Sequence, residues 1–235
     1  MKKIQSIPMA RVLGESGIIV VSILLAFWID AWWDGRQDRG QERQLLAQIQ
    51  AESESNRELF AQYRQHHSEI IEAAGRLLNR TGPGATIEQH EIAEIRRDLE
   101  IVSDFWTVEP SAGVISSALQ SGQLQLIRSQ PLRIEVAKWS AFLDDLRSEE
   151  ASQQRFGKDV FLEYWYVNAP LRNVWPVEDL GRSEFPVDLE TILRDRLFEN
   201  LLHAKVLGER AVLDDYEDIE RSTASLIQMT TELLD

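Results

Sequence analysis

The longest apolar run in the chain lies near its amino terminus. Residues 16–29 read Ser-Gly-Ile-Ile-Val-Val-Ser-Ile-Leu-Leu-Ala-Phe-Trp-Ile and include no charged side chain. Extended from Val12 to Trp33, this segment forms roughly 33 Å of helix, against a hydrocarbon core of about 30 Å. Its strongly apolar residues contribute roughly −4 kcal/mol to insertion on a translocon-derived scale. We therefore predict a transmembrane helix over 12–33, preceded by a short tail over 1–11.

Both ends of this segment suit a membrane boundary. Arg11 and Glu15 are four residues apart and can pair on a helix, while Asp30 lies near the far end, where a charge is less costly than at the centre. Signal peptidase needs small residues at its cleavage site, and the sequence Phe-Trp-Ile-Asp-Ala-Trp-Trp does not supply them, so we expect an uncleaved anchor. The far end also carries three tryptophans typical of an interfacial aromatic belt: Trp28, Trp32 and Trp33.

The next stretch has the pattern of a long helix. Residues 41–74 contain neither proline nor glycine, and one core position recurs every seven residues. Glu52 and His66 fall at the other core position and weaken the seam, which would suit an oligomer with a partly wet centre. We predict a stalk helix over 34–80 that continues out of the bilayer. The heptad positions are Ile49, Asn56, Tyr63, Ile70 and Leu77.

Residues 81–235 predict a bundle of further helices. The Thr-Gly-Pro-Gly turn at 81–84 ends the stalk, and helices are expected over about 87–104, from Ser111 to about Gln120, and from Gln130 towards Trp165. Residues 168–187 hold three prolines and form an irregular arm. A second seam then repeats every seven residues, and strand alternation is lacking. The predicted class is all-α, an antiparallel helical bundle. The second seam comprises Val212, Ile219, Leu226 and Leu233.

Charge narrows the range of partners. The formal net charge is −14, and residues 1–35 contribute none of it, so the whole excess lies in the body. An acidic body repels phosphate backbones, which makes nucleic-acid binding a poor expectation. The numbers of positive charges before and after the apolar segment are almost equal. The amino terminus adds one positive charge before the segment, which favours a cytoplasmic tail. We expect a single-pass protein of a bacterial inner membrane with its bundle in the periplasm.

Two stretches resemble a family of uncharacterised bacterial single-pass membrane proteins. The first is Gly-Glu-Ser-Gly-Ile-Ile-Val-Val-Ser-Ile-Leu-Leu-Ala-Phe at 14–27, followed by Trp32 or Trp33 and a charged helix. The second is Ser-Ser-Ala-Leu-Gln-Ser-Gly-Gln-Leu-Gln-Leu-Ile at 116–127. Ser16 and Asp30 depart from the family pattern. The resemblance implies membrane anchoring and a helical architecture, and it implies no particular chemistry.

Glu15 and Asp30 are candidates for a pore. In a homo-oligomer, each would form a carboxylate ring at one mouth of a cation-conducting channel. The alternative is that both are ordinary interfacial charges, and we favour that alternative because each lies near an end of the segment. Small residues that allow close packing of neighbouring spanning helices occur at Gly14, Gly17, Ser22 and Ala26.

The chain offers little support for catalysis or metal binding. It contains no cysteine, and it lacks a P-loop, a dinucleotide-binding glycine motif and a nucleophile elbow. His66 and His67 with Glu69, and Glu199 with His203, do not match the Glu-x-x-His spacing of a di-metal bundle. We therefore expect no enzyme activity, no bound metal and no cofactor.

A cluster of aromatic residues adjoins the irregular arm. Such residues often anchor a partner or ligand, although large aromatics are more often buried, and we favour burial at the end of the bundle. The candidates are Tyr164, Trp165, Tyr166 and Trp175.

These observations support three functional hypotheses. The first is a non-enzymatic, membrane-anchored homo-oligomeric assembly or interaction protein whose partners are the lipid bilayer and copies of itself. The second is an oligomeric cation-conducting pore. The third is a membrane-tethered sensor whose ligand binds near Trp165.

Overall fold

The computed structural model describes residues 9–175 and 177–235, with side chains from Val21 onward except Glu178. Every regular element of this described part is helical, which confirms the predicted all-α class. The α-helices are α1 (Met9–Leu78), α2 (Ile92–Val102), α3 (Gly113–Ser121), α4 (Gln130–Phe156), α5 (Leu162–Asn168), α6 (Leu171–Val174), α7 (Leu189–Arg194) and α8 (Arg196–Leu234). Short 3₁₀ turns occupy Gln123–Leu126 and Glu178–Leu180, and a π-helical turn, Gly157–Phe161, joins α4 to α5.

Three long helices form the body of the bundle. Helix α8 runs antiparallel to α1, with Arg43 near Leu234 at one end and His67 near Glu209 further along. It is also antiparallel to α4, since Trp139 donates a hydrogen bond to Thr223 and Glu150 accepts one from Tyr216. The predicted antiparallel bundle is therefore present from about residue 45 onward, and the second half of the predicted stalk is one of its members.

Heptad spacing predicted most of the buried seams. On α1, Ile49, Asn56, Ile70 and Leu77 are at most 2% exposed, and Tyr63 is half-buried. On α8, Val212, Ile219 and Leu226 are fully buried. Leu233 instead lies exposed, because α8 has reached the last turn of the bundle there. Both seams pack within one chain.

Several helix ends differ from the expected positions. Helix α2 begins at Ile92 rather than near 87, since residues 89–91 form a turn. The chain after Asp188 is two helices, because Asp195 adopts an extended conformation and caps α8 through its side chain. Ser129 caps α4 with Pro131 in the first turn, and Gly122 ends α3 at φ +77°, where glycine is favoured.

The apolar interior consists of two clusters stacked along the bundle. One surrounds Phe60, Trp139 and Tyr216, and the other surrounds Trp165, Phe161 and Phe198. A group of buried charged residues occupies the level between them on α1, α4 and α8. This polar layer therefore separates the two apolar clusters.

The amino-terminal part of α1 extends beyond the bundle. Among the described residues, no helix has a segment both long and apolar enough to cross a membrane. The side chains of residues 12–20, the first part of the predicted transmembrane segment, lie outside the described part of the chain.

Candidate functional site

The described part of the predicted transmembrane segment forms what we call the apolar collar, residues 21–33 of α1. Its nine large apolar side chains are 48–68% exposed. At about 100° per residue, they point in every direction around the helix axis rather than along one stripe. The collar therefore has no polar face. These side chains belong to Val21, Ile23, Leu24, Leu25, Phe27, Trp28, Ile29, Trp32 and Trp33.

The collar also contains three of the polar or small candidate residues. Ser22, Ala26 and Asp30 are exposed in the single chain. Glu15, Gly14 and Gly17 lie outside the residues whose burial is described. No pairing of carboxylates across an oligomer follows from this arrangement, and the pore hypothesis stays a prediction.

The aromatic cluster is divided between core and surface. Trp165 is fully buried and Tyr164 nearly so, and both pack on Phe198, with ring centroids 5.7 and 5.5 Å away. Trp175 is half-buried against the same core. Tyr166 points outward and is 59% exposed. The cluster therefore closes the end of the bundle, and of these four residues only Tyr166 presents most of its surface to solvent.

A buried charge network on α1, α4 and α8 is the most unusual site of the bundle. His67 Nδ1 lies 2.5 Å from Glu209 Oε2, and His67 Nε2 lies 3.6 Å from Glu150 Oε1. Glu150 also accepts hydrogen bonds from the Tyr216 hydroxyl at 2.7 Å and the backbone N–H of Val108 at 2.9 Å. His67, Glu150 and Glu209 are at most 2% exposed.

Lys205 completes this network one helical turn before Glu209. Its Nζ lies 2.9 Å from Glu209 Oε1 and donates to the carbonyl oxygen of Asp104 at 3.0 Å. The ammonium group also sits 3.6 Å from the centroid of the Phe105 ring, a cation–π contact. Phe105 is held so close to Gly157 that a Cβ there would lie 2.3 Å from its ring. Glycine at 157 thus permits the approach that positions Phe105 under the lysine.

The network balances its charges only when His67 is protonated. Burial alone lowers the pKa of His67, but Glu150 and Glu209 outweigh it and raise the pKa above its ordinary value. Burial likewise favours protonation of Glu209, yet His67 and Lys205 hold the pKa of that carboxyl below its usual range. Burial lowers the pKa of Lys205 and raises that of the Tyr216 phenol. Two cations then face two carboxylates.

This arrangement suits structural rather than catalytic chemistry. The base, the carboxylates and the ammonium group are all buried, so a substrate would have to open the bundle to reach them. A buried pair with one member removed leaves an uncompensated charge, which is strongly destabilising. The network therefore links α1, α4 and α8 through buried charged groups.

A second polar contact connects α1 to the start of α3. The Glu52 carboxylate accepts hydrogen bonds from the Ser111 hydroxyl and from the backbone N–H groups of Val114 and Ile115, at 2.9–3.1 Å. Asn56 both donates to and accepts from the backbone of Ser111. Glu52 thus satisfies donors at the first turn of α3, which has no side-chain cap of its own. These polar seam residues are satisfied within one chain, without the partly wet oligomer centre that the seam suggested.

The burial of the histidines differs from that predicted from the sequence. The expected core histidine, His66, is half-buried and stacks on Trp106 with centroids 4.8 Å apart, whereas His67 enters the core. Glu69, His90, Glu199 and His203 are exposed. Within the described residues, no three histidine or acidic side chains are arranged to hold a metal ion. The buried network was missed because its members are up to 142 residues apart in the sequence.

No protein-family model matches the chain, and neither the curated proteins nor the solved structures provide a match. The resemblance of residues 14–27 and 116–127 to bacterial single-pass membrane proteins therefore stays a prediction.

Proposed function

We propose that this protein is a membrane-anchored helical module that acts through assembly or interaction rather than catalysis. The observation that carries the proposal is the apolar collar, whose large side chains are exposed on all sides of a helix that continues into the bundle. A water-exposed helix of this kind is unfavourable, because each fully exposed large apolar side chain forgoes about 1.5–3 kcal/mol of burial.

Lipid fits the collar better than a single protein partner does. A second helix would cover one stripe, as in a coiled coil, and leave the opposite face exposed. A bilayer covers the whole circumference at once. The tryptophans Trp28, Trp32 and Trp33 lie at the end nearest the bundle, where an interfacial belt is expected. Together with the apolar sequence before Val21, the collar supports a spanning segment over 12–33.

The remainder of the molecule suits a tethered domain in water. Most heptad positions of α1 and α8 are buried within the bundle. Its acidic surface would not adhere to anionic lipid by charge. We keep a bacterial inner membrane with a periplasmic bundle as the proposed location. Self-association through Gly14, Gly17, Ser22 and Ala26 is the proposed route to a homo-oligomer.

The anchor is tested by placing charge in the collar. In the full-length chain, the double substitution Leu24→Arg and Leu25→Arg adds roughly 6 kcal/mol to the cost of insertion, more than the roughly 4 kcal/mol that favours it. We expect the wild type to sediment with membranes after an alkaline carbonate wash and to require detergent for release. The double variant should move to the supernatant.

Leu207→Arg is the matched control, because Leu207 is an equally exposed leucine on α8, outside the collar. This variant should sediment like the wild type. A wild-type chain that stays dispersed and monomeric without detergent would overturn the anchor.

Assembly is tested separately by the molar mass of the detergent-solubilised chain. We expect a discrete oligomer in light scattering after subtraction of the detergent. We also expect Gly17→Leu to reduce its mass, since a large side chain prevents close helix contact. A wild-type monomer at all protein concentrations would leave the anchor intact and refute the homo-oligomer.

A further inference from the structure

We propose that a cleft between α2 and the irregular arm binds a small soluble molecule carrying a phosphate group. The cleft has a volume of about 420 Å³, within the range of small-molecule sites. One wall is α2 with the turn before it, and the other consists of α6 and the segment after Gly181. Its polar lining is Gln89, Arg96, Arg97, Glu100, Asn173 and Arg182.

The charge of this lining is opposite to that of the chain. Arg96, Arg97 and Arg182 face one carboxylate, Glu100, in a protein whose net charge is −14. None of these three arginines forms an ion pair with another described residue. Arginines nearby behave differently, since Arg76 pairs with Asp98 and Arg80 contacts Glu91 and Glu94. The cleft thus gathers three guanidinium groups that form no salt bridge with a described residue, and one of them, Arg97, also borders the acidic groove lined by Glu69, Glu72 and Glu94.

The floor of the cleft adds two buried donors. A small inner space of about 10 Å³ shares Arg96, Asn173 and Val174 with the cleft and is also lined by Trp165. Arg96 Nε and Trp165 Nε1 are buried and have no hydrogen-bond acceptor among the described residues. Both groups can only donate, and buried donors are normally satisfied. The floor therefore has room for one acceptor atom, either a water or a single ligand oxygen, beside these two donors.

Phosphate matches this set better than a single carboxylate does. A phosphate monoester carries close to two negative charges near neutral pH and offers three acceptor oxygens. Arginine recognises phosphate through parallel N–H donors in a planar fork. Three guanidinium groups opposed by Glu100 leave a net charge of about +2, which balances a dianion. The rest of the ligand would contact Ile92, Ala93 and Val174.

The position along α1 favours a soluble ligand over a lipid headgroup. Arg76 pairs with Asp98 on α2, so the cleft lies beside the carboxyl-terminal end of α1. At about 1.5 Å per residue, Arg76 is roughly 65 Å along the helix from Trp33. If the collar is in lipid, as the proposed function has it, the cleft is far beyond the headgroups. The site itself does not depend on the anchor.

The test is a calorimetric titration of the full-length chain in detergent micelles with inorganic phosphate at fixed ionic strength. We expect saturable binding that Arg97→Gln and Arg182→Gln each weaken at least tenfold. Both arginines are exposed and unpaired with described carboxylates, so their loss should leave the fold intact, as circular dichroism would verify. Arg57→Gln is the control, an exposed arginine on α1 that should bind phosphate like the wild type.

A second readout places the ligand. The indole N–H resonance of Trp165, assigned with Trp165→Phe, should shift during the titration, while that of Trp139 in the other core should not. Absent saturation, or equal affinity in the wild type and both cleft variants, overturns the proposal. Tighter binding of acetate than phosphate would reassign the site to carboxylates. Binding of phosphatidic acid in mixed micelles without binding of inorganic phosphate would refute the soluble ligand.

Discussion

The two ends of helix α1 invert the usual relation between polarity and burial. Over residues 21–33, large apolar side chains are exposed around the whole helix. Over residues 45–77, Glu52, Asn56 and His67 are buried at 7%, 1% and 1% exposure. Both stretches belong to one continuous helix, so helix propensity does not distinguish them.

This difference shows that the groups packed against a helix decide which of its side chains can be buried. In the bundle, Glu52, Asn56 and His67 each meet donors or acceptors from α8 or from α3 and the segment before it, which offsets their desolvation. In the collar, no side chain from the described bundle covers the apolar groups. Three substitutions test how far the polar half depends on its partners.

Removal of one buried counter-charge should have the largest effect. Glu209→Gln keeps the volume of the side chain but removes the ion-pair partner of Lys205 and leaves His67 with Glu150 alone. Loss of one member of a buried ion pair costs about 3 kcal/mol or more. We expect the free energy of unfolding, from urea titrations followed by circular dichroism, to fall by about that amount. Glu217→Gln, an exposed residue two turns along α8, should stay within about 0.5 kcal/mol of the wild type.

An equal, small loss in both variants would mean that the network contributes little net stability. The network would then resemble the buried ion pairs of other proteins that can be replaced by apolar side chains without loss of stability.

Removal of the contact between α1 and α3 should have an intermediate effect. Glu52→Ala leaves the backbone N–H groups of Val114 and Ile115 without their acceptor, at a cost of about 2 kcal/mol. Hydrogen exchange should accelerate first at these two amides. Glu54→Ala, an exposed neighbour, is the control. Unchanged protection at Val114 and Ile115 would contradict the role assigned to Glu52.

The smallest effect, and the most specific, should be a pH dependence due to His67. Its pKa is raised in the folded state, so its stabilisation is complete below the unfolded value of about 6.5. As the pH rises, the unfolded chain releases its proton first, and the stabilisation disappears as the pH passes the folded pKa. The stability of the wild type relative to His67→Gln should therefore decrease as the pH rises above about 6.5.

Exposed His90 supplies the control for this titration, since His90→Gln should follow the wild type across the same range. A wild-type advantage that grows with pH would mean that His67 is buried as the neutral imidazole.

Local signals predicted the helical architecture well. Seven-residue spacing located Ile49, Ile70 and Leu77 in the core, and the start of α4 at Gln130 was predicted correctly. The break at Asp195 escaped prediction, because neither proline nor glycine marks it. The π-helical turn at Gly157–Phe161 was not predicted from the sequence either.

The charge network could not be predicted from pattern alone. Periodicity assigned the core position to His66, yet the adjacent His67 enters the core because Glu150 and Glu209 supply its partners from other helices. Glu150, Lys205 and Glu209 read as ordinary surface residues on amphipathic helices. The apolar collar, in contrast, follows from consecutive residues, so sequence alone was enough to identify it.

The 70-residue continuity of α1 has a mechanical consequence. The helix is continuous over about 105 Å and contains no proline. An axial shift or a rotation at the collar would therefore also move the far end of the helix at Leu78. Glu52, His67 and Arg76 are spaced along this helix, and they bind to α3, α8 and α2, respectively. An axial displacement of α1 at the collar would strain these three contacts together. It would also move the carboxyl-terminal end of α1, which lies beside the arginine-lined cleft.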